Sequence, residues 1–133
     1  GKRLRKGRVV QGHGALLPEH IHIQGETVRF LSPHEVYKKY SVLDAAHDVA
    51  TLMVELIVAN EKELADHFLQ KYKEASKDKD LESILPAYQT YCALKHGVLT
   101  CERKVALQDE SLGPVALEYF NLATRFSRTI HQA

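Results

Sequence analysis

A chain of 133 residues, 44% hydrophobic and 26% charged, is one domain with enough apolar mass to bury a core without disulfides or structural metal. A formal net charge of +1 excludes a global electrostatic pull toward nucleic acid or a membrane surface. No apolar run reaches the roughly 18–20 residues that span a bilayer. The basic start, Lys2-Arg3-Leu4-Arg5-Lys6, leads into no apolar segment and so does not read as a signal peptide, which makes the expected location cytoplasmic.

Residues 1–6 read as a solvated basic tail ahead of a single domain over 7–133. Arg8-Val9-Val10 is a short β-like run ending at Gly12-His13-Gly14, where glycine permits a sharp change of direction. Pro18 interrupts any helix in the loop that follows. His20-Ile21-His22-Ile23 alternates strictly and Thr27-Val28-Arg29-Phe30-Leu31 is a second β-like run; with Gln24-Gly25-Glu26 as the turn, the two predict a small hairpin.

The helical part begins at Leu43. Residues 43–59 are apolar except at Asp44, His47, Asp48, Thr51 and Glu55, whose spacing places them on one narrow stripe of an otherwise buried helix. Leu64, Phe68, Leu69, Tyr72 and Ala75 mark an amphipathic helix that ends in the charged loop Lys77-Asp78-Lys79-Asp80. A long helix runs from about Ile84 to Leu107, with Ser83 as its N-cap, Pro86 in its first turn and an apolar face at 84, 85, 88, 91, 92, 95, 98, 99, 102, 105 and 106, where Lys95 and Glu102 are polar lapses. Gly97 within it permits close packing at a cost of about 1 kcal/mol in helix propensity. Ser111-Leu112-Gly113-Pro114 opens a last helix with Val115, Tyr119, Leu122, Ala123, Phe126 and Ile130 on one face. Cys92 and Cys101, nine residues apart on one helix, are separated by about 13 Å and face opposite sides. They are therefore expected to be free thiols, at least one of them in the core. The fold class expected is α+β, mostly α-helical: a loop segment and hairpin over 7–42, then four helices over 43–133.

The stretch Gly12-His13-Gly14-Ala15-Leu16-Leu17-Pro18-Glu19-His20-Ile21 resembles the catalytic loop of aminoglycoside phosphotransferase-like kinases. It is most similar to the branch that pairs such a domain with a P-loop ATP-binding domain, where the pattern is histidine-glycine-aspartate-leucine and then glutamate-histidine-isoleucine. His13, Gly14, Leu16, Glu19, His20 and Ile21 match, while Ala15 stands in the place of the catalytic aspartate. Phe30-Leu31-Ser32-Pro33-His34-Glu35-Val36 is similar to the family's metal-binding stretch, with Ser32 in the place of the metal-binding aspartate. Leu43-Asp44-Ala45-Ala46-His47-Asp48 is similar to the aspartate-rich start of the next helix, and the later helices follow the family's C-terminal pattern. The resemblance implies the lower lobe of a kinase-like fold, without the upper lobe that carries the nucleotide-clamping lysine.

The two substitutions remove specific chemistry. In phosphoryl transfer one carboxylate orients the attacking hydroxyl and takes its proton, and another holds Mg²⁺ against the phosphates. Alanine does neither, serine is a weak neutral ligand, and His20, at the loop position where asparagine is usual, suits softer metals than Mg²⁺. The resemblance therefore implies a degenerate, pseudokinase-like lobe that serves as an interaction or ligand-holding module. It retains His13, Glu19, His20, Glu35, Asp44 and Asp48 around the cleft, with Asp44 and Asp48 expected to anchor the loop. ATP and Mg²⁺ belong only to the alternative, a small-molecule phosphotransferase completed by a separate N-terminal lobe or partner chain. A further alternative is a helical scaffold that self-associates through the surface an upper lobe would cover. The eight histidines invite zinc, with His20 and His22 sharing a strand face near His13, Glu19 and His34; no Cys/His spacing signature or HExxH supports it, and no metal site is assigned. No nucleic-acid or membrane partner is expected.

Overall fold

The computed structural model describes residues 1–31 and 42–130. Ser32 and Glu35, which the resemblance singles out, lie outside the described residues, as does His34.

In chain order the elements are helix α1 (Lys2–Arg5), strand β1 (Val9–Gln11), one 3-10 turn (Pro18–His20), strands β2 (Ile21–Gln24), β3 (Thr27–Phe30) and β4 (Val42–Asp44), and helices α2 (Ala45–Val58), α3 (Lys62–Ser76), α4 (Leu81–Leu107) and α5 (Leu112–Ile130). The architecture is mostly α with a small β component, as the sequence predicts. β2 and β3 form the expected antiparallel hairpin, with Gln24 opposite Thr27 and Gly25-Glu26 as the two-residue turn. Gly25 has φ +61° and Glu26 does not share the left-handed region, the pattern of a type II′ turn that needs glycine first.

β1 pairs antiparallel with β4, Val9 opposite Asp44 and Gln11 opposite Val42. This short ladder fixes the functional geometry. β4 runs directly into α2, so the loop leaving β1 at Gly12 emerges alongside the first turn of α2. The predicted helix from Leu43 thus starts two residues later, because Leu43 and Asp44 are spent on the ladder. Asp44 caps α2, its carboxylate accepting the Ala46 amide at 2.9 Å.

The core lies where α2 and α4 meet α3 and α5. Ala46, Val49, Ala50, Met53 and Val54 of α2 pack with Leu81, Leu85, Cys92 and Ala93 of α4 and with Tyr119, Leu122 and Ala123 of α5. α4 corrects two expectations. Its first turn begins at Leu81 rather than near Ser83, leaving Pro86 at the sixth helical position. Complete burial of Leu81 contributes about 2 kcal/mol and draws the helix start upstream, although Pro86 then removes the bond that the Glu82 carbonyl would accept. The buried face is also rotated from the expected one. It comprises Leu81, Leu85, Gln89, Cys92, Ala93, Gly97 and Thr100, while Tyr91, Val98, Leu99 and Val105 are exposed. Small residues let α5 come close: a Cβ on Gly97 would sit 2.7 Å from Phe120 Cε1. Apolar periodicity undercounts such a face because Ala, Gly and Thr carry little hydrophobic weight.

The N-terminal segment is not a solvated tail. Arg3 projects from α1 between two buried carboxylates, pairing through Nε and Nη2 with Asp44 and through Nη1 and Nη2 with Asp78 at 3.1 and 2.8 Å. Lys2 and Lys6 both reach Asp80. The basic run is therefore a clasp joining the start of α2 to the α3–α4 loop. The predicted thiols are free, Cys92 buried and Cys101 exposed.

Candidate functional site

The loop from Gly12 to His20 is held at both ends. At its start, Asp48 accepts the amide of His13 at 2.6 Å through Oδ2 and that of Gly14 at 2.9 Å through Oδ1. The two glycines serve different needs. Gly14 has φ +81°, in the left-handed region. Gly12 lies against the Asp48 carboxylate, where a Cβ would come within 2.5 Å of Oδ2. Burial works against ionisation of Asp48. His47 alongside and the two amides outweigh it, so the carboxyl sits below its ordinary value. His47 Nδ1 is 3.9 Å from Asp48 Oδ1, beyond hydrogen-bond reach, so the amides make the specific contacts.

Histidines complete the loop. His13 Nδ1 accepts the Ala15 amide at 3.3 Å, which leaves Nε2–H to donate to the Leu31 carbonyl at 2.6 Å. His20 Nδ1–H donates to the Ala15 carbonyl at 2.7 Å, and the His20 carbonyl accepts the Leu31 amide at 2.8 Å. The two imidazoles stack with centroids 5.5 Å apart. Ala15 is thus fixed by both of its backbone polar groups, and the hairpin end at Leu31 is tied to the same knot. His20 closes the 3-10 turn instead of sharing a strand face with His22, so the expected histidine pair on β2 does not form.

Ala15 lines a cavity of about 400 Å³ enclosed by the loop, α2 and α4. Glu19 and His20 line it from the loop, His47 and Thr51 from α2, and Cys92, Lys95 and His96 from α4. Glu55 and Tyr119 stand behind His96. The His96 Nδ1–H faces the Glu55 carboxylate, and the Tyr119 hydroxyl donates to its two oxygens at 2.8 and 2.9 Å. Burial, with the Glu55 charge next to it, raises the Tyr119 hydroxyl so that it remains a donor. The predicted polar stripe of α2 therefore divides three ways: Asp44 to the helix cap and Arg3, Asp48 to the loop, and His47, Thr51 and Glu55 to the cavity wall or just behind it.

Of the residues singled out from sequence, His13, Glu19, His20 and Asp48 come together at the loop, and Asp44 does not. Lys95 and His96 were not singled out, although Lys95 broke the apolar period of α4 and so carried a signal. Glu19 is the one carboxylate among the described residues lining the cavity, and the Asp48 oxygens are occupied by amides. Mg²⁺ takes several hard oxygen ligands, and the described residues do not supply them. Among the described residues no three His, Cys, Asp or Glu side chains converge to hold a metal ion, and no helix is long and apolar enough to cross a membrane.

The chain is 30% identical over 101 residues to uncharacterised proteins of Mycobacterium tuberculosis and Mycobacterium bovis, a match that takes in 76% of this chain and 20% of each relative. It spans about a fifth of the length of the curated relatives it matches. No family model and no solved structure matches the chain.

Proposed function

We propose that this chain is a degenerate, aminoglycoside phosphotransferase-like lobe that holds a ligand without transferring a phosphoryl group, and that it acts in the cytoplasm. The observation that carries the reading is Ala15. Its backbone is pinned through His13 and His20, and it lines the cavity with a methyl group as its only side chain, where the resemblance puts a catalytic carboxylate. A loop held this closely around a residue that can neither accept a proton nor bind Mg²⁺ favours binding over turnover. Thermal unfolding with and without ATP plus Mg²⁺, for the native chain and for the Ala15→Asp/Ser32→Asp double variant, tests it. The reading expects no ATP hydrolysis or phosphoryl transfer to a small-molecule hydroxyl by the native chain; measurable turnover that disappears on replacing Glu35 or Asp48 would falsify it.

The rival reading, a phosphotransferase completed by an upper lobe or partner chain, draws support from the hairpin. Ile21, Ile23, Val28 and Phe30 share one face, and Ile23, Val28 and Phe30 are 73%, 51% and 59% exposed. An apolar strand face left this open fits a covering domain, and relatives five times the length of the matched segment leave room for one. Co-expression with the remainder of a full-length relative, followed by a phosphotransfer assay, separates the two readings.

A further inference from the structure

The cavity beside Ala15 has a chemical bias of its own. Lys95 brings an ammonium group with no carboxylate partner among the described residues. His20 and His96 each commit Nδ1–H to an oxygen, of the Ala15 carbonyl and of Glu55, so Nε2 is the nitrogen each has left for an occupant. His47 Nδ1 is buried and has no hydrogen-bond partner among the described residues. Against these four nitrogen-bearing side chains stands, among the described residues, a single carboxylate in the lining, Glu19, since the Glu55 oxygens are taken up by His96 and Tyr119. Leu17 and Leu99 supply apolar wall, and about 400 Å³ is room for a small organic molecule.

We propose that this cavity binds a small organic anion, a carboxylate or phosphate monoester on an apolar body, with its charged end at Lys95 and His96. The inference rests on the ligand-holding reading and supplies its ligand class. It also gives Ala15 a positive role. An aspartate there would add a second negative charge to that of Glu19 beside the site, whereas a methyl group adds none.

The test is isothermal titration of the full chain with benzoate, phenyl phosphate and the neutral isostere benzyl alcohol, without nucleotide or Mg²⁺. Expected are saturable binding of at least one anion at millimolar or lower concentration and none of the alcohol. The Lys95→Met variant, at an exposed position where folding is not at stake, should weaken binding by about tenfold or more. Ala15→Asp should weaken it and Ala15→Asn should not. Benzoate against phenyl phosphate decides which headgroup the site prefers. Equal binding of benzyl alcohol, no binding of either anion, or unchanged affinity in Lys95→Met overturns the proposal. Because neither ATP nor turnover is involved, that failure leaves the ligand-holding reading to its own test.

Discussion

The His13 amide donates to Asp48 at 2.6 Å, linking the start of the Gly12–His20 loop to the first turn of α2. The Gly14 amide binds the second oxygen, so one carboxylate holds two successive peptide groups. Removing it leaves both amides without an acceptor in a partly buried place. Asp48→Ala is expected to cost roughly 2–4 kcal/mol in urea unfolding, with Asp48→Asn intermediate because its amide keeps one acceptor oxygen. Amide hydrogen exchange at His13 and Gly14 should accelerate selectively. The Asp48 carboxyl is held below its ordinary value in the fold, so its contribution is present above about pH 4 and is lost as pH falls through the lowered value.

Arg3 makes a prediction of similar size from the opposite end of the chain. Arg3→Ala strands two buried carboxylates, Asp44 and Asp78, and is expected to destabilise by about 2–4 kcal/mol. Added salt should offset little of this, because the Arg3 side chain is only 13% exposed. The Arg3 guanidinium holds the Asp78 carboxyl below its ordinary range. This stabilisation is likewise complete above the ordinary carboxylate pKa and disappears on acidification, so the acid-unfolding midpoint of Arg3→Ala should lie at higher pH than that of the native chain.

Gly97 tests how closely α4 and α5 pack. Gly97→Ala gains about 1 kcal/mol in helix propensity, yet its methyl would meet the Phe120 ring at 2.7 Å. The clash should win, with a net loss of about 1–2 kcal/mol. Pairing it with Phe120→Leu should recover most of the loss, and a double-mutant cycle in denaturant measures this.

The thiols should react very differently. Cys101 is exposed, whereas burial pushes the Cys92 thiol up. Ellman's reagent should therefore titrate one thiol at once in the native protein and the second only as the chain unfolds.

Much of the fold is legible in the sequence because period and punctuation agree. Alternation around Gly25 marks the hairpin, and the apolar run 45–58 with its polar stripe marks α2. The loop motif is legible too, since Gly12, His13 and Gly14 are a local pattern. What is not legible is where each polar group finds its partner. The stripe Asp44, His47, Asp48, Thr51 and Glu55 looks uniform in sequence, yet the β1–β4 ladder sends Asp48 to the loop and Arg3 draws Asp44 away from it. Lys95 and His96 come to line the cavity only because α4 rotates its small residues toward α5.

The sequence by itself determined the mostly helical class, the hairpin, the loop and the absence of a carboxylate at Ala15, all carried by neighbouring residues. Only the tertiary structure decided that residues 1–6 clasp the fold, that Leu81 begins α4, and that Ala15 lines one cavity with Lys95 and His96. Each of those depends on contacts between residues distant in the chain, set by packing and charge pairing, of which no local pattern carries a trace.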